Sequence, residues 1–190
     1  MSFRQDLMKP PNLVSAIRIL IAPLMLVFAF LELEYWFLGA LIFSGFTDVL
    51  DGFLARRLNM ITPLGAHLDS WGDFAIYGTM AIGAWILWPE ITQRELPYYA
   101  LILFSLLLPA LFGMIKFGRW TGYHTWGVKI AVFATFVGYI TLYADLATWP
   151  FKVAALLALV AGIEEILITL VLRKERTDVR SILAAWRRRE

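Results

Sequence analysis

The chain has 190 residues, of which 60% are hydrophobic; Lys and Arg number 17 against 15 Asp and Glu, for a formal net charge of +2. The absence of cysteine excludes a disulfide framework, a thiol nucleophile and a thiolate metal site. No soluble basic face is present, which leaves no case for nucleic acid as a partner.

Hydrophobic stretches long enough to cross a bilayer, about 20 residues each, fall near residues 12–32, 35–57, 64–88, 97–117, 124–146 and 150–172. Pro63, Pro89, Pro97, Gly122 and Pro150 punctuate the short connections between them. The expected fold is all-α: a single polytopic membrane domain over residues 1–190 with six transmembrane helices. Asn12, Ser15 and Arg18 interrupt the first apolar run and no small-residue cleavage site follows it, so a cleavable signal peptide is not expected. Fifteen Lys and Arg fall on the side shared by both termini and two, Arg94 and Lys152, on the other, which predicts cytoplasmic termini. Tyr35, Trp36, Trp88, Tyr98, Tyr99, Trp120, Tyr123, Trp126 and Trp149 lie near helix ends and read as an interfacial belt. The tail, residues 173–190, spaces Val179, Ile182, Leu183 and Trp186 helically among basic residues. It reads either as an amphipathic helix on an anionic leaflet or as an ordinary basic flank.

Four aspartates stand inside these apolar stretches. At 100° per residue, Asp48, Asp51, Gly52 and Ala55 share one side of the second helix, and Gly65, Asp69 and Asp73 line a stripe of the third. One uncompensated carboxylate at bilayer depth costs roughly 2.5 kcal/mol or more, so four require a common cation. Two readings answer this need. Interhelical ion pairs with Arg18, Arg56, Lys116 or Lys129 would be structural; a hard divalent ion held by oxygen ligands, Mg2+ or Mn2+, would be functional. Four carboxylates suffice for two ions, an arrangement suited to displacement at phosphorus. One carboxylate crowded by like charges is also a candidate general base toward an alcohol, and spacing does not say which.

From Asp48 the chain reads Asp48-x-x-Asp51-Gly52-x-x-Ala55-Arg56, then eight residues, Gly65, three residues, Asp69, three residues, Asp73. This resembles the signature of the CDP-alcohol phosphotransferase family at every specified position. The resemblance implies a membrane enzyme that transfers a phosphatidyl group from CDP-diacylglycerol to an alcohol acceptor and releases CMP. It implies that Asp48, Asp51, Asp69 and Asp73 hold a metal pair, that Asp73 is also the catalytic base, and that Asp48, Gly52, Ala55, Arg56 and Gly65 form the CDP site. It further implies a homodimer in the cytoplasmic membrane with its active site facing the cytoplasm.

The acceptor is less determined. Asn12-Leu-Val-Ser15-Ala-Ile-Arg18, with Pro23 beyond, is similar to the first helix of phosphatidylglycerophosphate synthases, which favours glycerol 3-phosphate. Lys116, Arg119 and Lys129, with His124 between, form a basic group that either binds an acceptor phosphate or is positive-inside charge. Asp69-Ser-Trp-Gly-Asp73-Phe74 departs from the Asp-Pro-x-Ala-Asp-Lys usual in those synthases, and Leu68-Asp69-Ser70 looks more like phosphatidylserine synthases. Inositol phosphate, serine and phosphatidylglycerol are therefore alternatives. His67 turns about 200° away from Asp69 and is expected outside the metal shell. Glu164 and Glu165, inside the sixth helix, border an acceptor pocket or a dimer contact. A cation or proton transporter would need ionisable groups reaching the outer side, and the outer halves of the second and third helices carry none.

Overall fold

The computed structural model describes residues 7–60, 62–118, 123, 125–172, 179 and 181–187. Among these every regular element is helical: α1 Pro10–Phe30, α2 Glu34–Arg57, α3 Pro63–Leu87, α4 Pro89–Arg94, α5 Leu96–Phe117, α6 Trp126–Tyr143, α7 Trp149–Val171 and α8 Ile182–Arg187. The six long helices fall on the six predicted stretches. Five are long and apolar enough to cross a membrane, which makes this a multi-pass membrane protein. The other, α3, has 25 residues, and Asp69, Ser70, Gly72 and Asp73 dilute its apolar character.

Two compact units divide the chain, Met1–Glu90 and Ile91–Glu190. In the first, α1 packs against both α2 and α3, which barely touch each other. The buried stripe of α1 explains this position. Asn12, Ser15 and Arg18 occupy its first half and Ala22, Met25 and Ala29 its second, while Leu13, Leu20, Leu24 and Val27 are exposed on the other faces. In a bilayer that outer surface meets lipid, so the polar side chains must find their partners inside the unit. Helix ends are closed locally. Pro10 and Pro63 occupy first-turn positions, where the missing N–H costs nothing. Asn59 follows α2 in the left-handed region (φ 51°), and the Met60 N–H returns to the Ala55 carbonyl at 3.0 Å.

In the second unit α7 packs against α5, α6 and α8 through Ala154, Ala155, Ala158, Ala161 and Gly162. Small residues let helix backbones approach where lipid offers no hydrophobic drive. A Cβ on Gly162 would stand 2.8 Å from the Ser105 carbonyl oxygen and 3.0 Å from its Cα, backbone atoms that cannot turn aside. Gly162→Ala is therefore expected to destabilise the folded protein by about 1–3 kcal/mol, measurable as a lowered midpoint of unfolding in detergent.

The aromatic belt needs correction. Trp88 is buried with its ring edge-on to Phe37 (centroids 6.0 Å apart), and Tyr123 is 2% exposed within the second unit's core. The Tyr99 hydroxyl is bonded to that of Tyr143, which meets the Thr92 hydroxyl at 2.7 Å. Tyr35, Trp36, Trp126 and Trp149 are exposed, as a belt requires; Trp120 lies outside the described residues. Arg94 and Lys152 both pair with buried Glu95, at 3.1 and 3.6 Å.

Candidate active site

All four aspartates converge on one arginine. Arg18, 2% exposed, reaches from the buried stripe of α1 to α2 and α3 together. Its Nη1 donates to Asp48 and to Asp73 Oδ1 at 2.8 Å; its Nη2 donates to Asp51 Oδ2 at 3.0 Å and to Asp69. A buried guanidinium is tolerable only when its charge is met, and here four carboxylates meet it. Its Nε is buried without a hydrogen-bond partner among the described residues, a loss of about 1–3 kcal/mol for a polar group. Gly72 provides the passage, since a Cβ there would lie 3.3 Å from both Cβ and Nε of Arg18.

One cation does not exhaust this cluster. With the four aspartates ionised, the net charge with Arg18 is −3. Asp48, Asp69 and Asp73 are 49%, 48% and 42% exposed as side chains, and only Asp51, at 7%, is enclosed. Asp48, Asp51 and Asp69 can each present an oxygen so that all three lie within 4.8 Å of one another. Oxygen donors at that spacing, with negative charge left over, fit a hard divalent cation.

A second layer fixes the walls around these oxygens. The Ser15 hydroxyl donates to Asp51 Oδ2 at 2.6 Å. Thr62 caps α3, accepting the Gly65 N–H at 3.0 Å, and also accepts from Asn12 Nδ2 at 3.0 Å. That chain of bonds ties the start of α1 to the start of α3. A cavity of about 250 Å3 lies alongside, lined by Asn12, Ser15, Asp48, Asp51, Gly52, Ala55, Met60, Thr62, Gly65 and Asp69 among others. Arg56 folds back along α2, so that a Cβ on Gly52 would be 3.4 Å from its Nη1. Asp73 and Arg56 are not among the cavity's lining residues; Asp73 joins the cluster through Arg18.

Small residues and carboxylates thus share a wall on α2 and α3, and α1 spans it through Arg18. The family model for CDP-alcohol phosphatidyltransferase matches residues 8–171. The chain belongs to the CDP-alcohol phosphatidyltransferase family. Among curated relatives of this family, the CDP-diacylglycerol–glycerol-3-phosphate 3-phosphatidyltransferase of Pseudomonas fluorescens is 39% identical over 69 residues, 35% of each chain. The enzyme of that name from Aquifex aeolicus is 41% identical over 66 residues, 35% of this chain and 37% of its own. The CDP-diacylglycerol–inositol 3-phosphatidyltransferase of Candida albicans is 34% identical over 85 residues, 43% of this chain and 35% of its own. The chain thus spans about a third of the length of the curated relatives it matches. No solved structure matches it.

The motif residues of this family member gather in the first unit, and the basic group expected at the acceptor belongs to the second. There Lys116 donates to the carbonyl oxygens of Thr169 and Leu170, at 2.9 and 2.8 Å, at the end of α7. Lys129 lies over the Trp126 ring, 5.2 Å from its centroid. Arg119 and His124 lie outside the described residues. Glu165 accepts the Tyr123 N–H at 2.8 Å and Glu164 the Ile182 N–H at 3.2 Å, so both hold chain segments against α7. In the tail, Val179 and Ala185 are buried against Tyr123, Ile168 and Leu172, and Leu183 and Trp186 are exposed; residues 173–178, 180 and 188–190 lie outside the described residues. His67 is exposed. Sequence reading gave Thr62 no role, although a threonine just before a first-turn proline is a cap signal. It named Arg18 in the Asn12–Arg18 segment and among four possible ion-pair partners, but not as the point on which all four aspartates meet.

Proposed function

We propose that this protein synthesises phospholipid by transferring the phosphatidyl group of CDP-diacylglycerol to glycerol 3-phosphate, with release of CMP. The observation that carries this reading is the convergence of Asp48, Asp51, Asp69 and Asp73 beside a cavity walled by Gly52, Ala55 and Gly65. Membership of the family and likeness to glycerol-3-phosphate phosphatidyltransferases support the donor and the acceptor.

Asp48, Asp51, Asp69 and Asp73 would hold one or two Mg2+ or Mn2+ ions. Bound there, such ions neutralise the donor's phosphate oxygens and stabilise the leaving group. The small side chains at 52, 55 and 65 would leave room for the nucleotide, and Arg56, whose guanidinium lies against Gly52, would pair with its phosphates. Asp73 takes the proton of the acceptor hydroxyl. That oxygen forms the new bond to the phosphatidyl phosphorus as the bond to the CMP oxygen breaks. Six spans with cytoplasmic termini and a cytoplasm-facing site are the topology favoured by charge, since it puts 15 of the 17 Lys and Arg on the side of the termini; the cytoplasmic membrane follows the family expectation. A homodimer follows the family expectation, and Lys116, Arg119 and Lys129 are retained as candidates for the acceptor phosphate.

The acceptor is tested with purified protein in detergent, CDP-diacylglycerol and Mg2+, following label from glycerol 3-phosphate, inositol phosphate, inositol, serine or phosphatidylglycerol into lipid. Incorporation is expected from glycerol 3-phosphate. Incorporation from another acceptor alone would replace it and would fit the departure at Ser70 and Phe74.

A further inference from the structure

We propose that Arg18 is a built-in competitor for the divalent ion, lowering the affinity of the aspartate cluster for metal. This rests on the reading that these aspartates are the metal ligands. The guanidinium lies within hydrogen-bond reach of all four carboxylates, two at each terminal nitrogen, and so occupies the point on which a shared cation would settle. Three of those four carboxylates belong to the group able to close around an ion. An ion coordinated by carboxylate oxygens at about 2.0–2.1 Å, as Mg2+ is, comes up against a positive nitrogen already bonded to the same groups. Like charges that close repel.

The pose of Arg18 shows what holds it. Nε is buried with no partner among the described residues, and the stem passes so close to Gly72 that a Cβ there would lie 3.3 Å from it. Every hydrogen bond of this guanidinium among the described residues thus goes to the cluster, through Nη1 and Nη2. A divalent ion that satisfies the carboxylates competes for those same oxygens, and in doing so displaces or repels the guanidinium. Arg18 thereby keeps four adjacent carboxylates compatible with folding before metal arrives, at the cost of weaker metal binding afterwards.

The test is Mn2+ binding to the purified full chain in detergent without substrate, reading free Mn2+ by electron paramagnetic resonance. Arg18→Met is expected to bind Mn2+ at least tenfold more tightly than wild type. Arg18→Gln, which keeps an amide donor for the carboxylates but no charge, is expected to tighten binding in the same direction and serves alone if Arg18→Met does not fold. Unchanged or weaker Mn2+ binding in the folded variant overturns the competition. Asp69→Asn separates the two levels. If it binds Mn2+ as wild type does, the ion is not held by this cluster, and the metal reading of the aspartates fails first.

Discussion

Asp69→Asn is expected to lower CMP release from CDP-diacylglycerol by at least about 10^2 to 10^3-fold, the loss typical of removing one preorganised electrostatic group at a reacting centre. The substitution keeps the shape of the side chain and an oxygen to accept from Arg18 Nη2. It removes one of four negative charges gathered around one positive charge, so the fold is expected to be as stable as wild type or slightly more so. Activity and stability should therefore move apart. Turnover within tenfold of wild type, with the midpoint of unfolding in detergent unchanged, would mean that Asp69 contributes nothing beyond its ion pair. Asp73→Asn is expected to lose a similar factor, about 10^2 to 10^4, through loss of the proton acceptor.

Gly65→Ala should damage both function and folding, because the new Cβ would collide with Asn12 Oδ1 and lie 3.2 Å from Thr62 Oγ1. Asn12 is 2% exposed and bonded to Thr62, so yielding to the new Cβ strains that bond. Overpacking of this kind costs about 1–3 kcal/mol. The shift would also reach the cavity wall, where Asn12, Thr62 and Gly65 all stand. A displacement of about 1 Å in a positioning group costs on the order of 10^2 in rate. Gly78→Ala is the control: nothing lies within 4 Å of its Cβ position, and alanine in a helix interior gains about 0.5–1 kcal/mol over glycine. Both quantities are read from kcat/KM for the donor and from the unfolding midpoint. If Gly65→Ala behaved like Gly78→Ala, the packing of α1 on the start of α3 would not govern the site.

Much of this was legible in the sequence because helices in lipid obey few rules strictly. A spanning segment must satisfy its own backbone and must turn its polar residues inward. Apolar length therefore located the six long helices, and a 100° turn per residue placed Asp48 with Asp51 and Asp69 with Asp73. What periodicity cannot supply is the choice of partner across helices. The pairing of α1 with both α2 and α3 is a tertiary fact, and it alone selects Arg18 from four candidate cations. The same limit applies to Glu164 and Glu165, whose acceptor role toward the N–H groups of Ile182 and Tyr123 depends on where distant segments return. Trp88 and Tyr123 looked interfacial by position, yet the core claims them because large rings fill space wherever helices leave it.

Metal-dependent phosphatidyl transfer at the aspartate cluster is the activity proposed for this protein. It is tested most directly by measuring CMP release from CDP-diacylglycerol and glycerol 3-phosphate with purified protein, first after exhaustive chelation and then on adding Mg2+ back. Release that vanishes on chelation, returns with Mg2+ and is absent in Asp69→Asn is the predicted result. Release that survives chelation undiminished, or that Asp69→Asn supports at the wild-type rate, would contradict it.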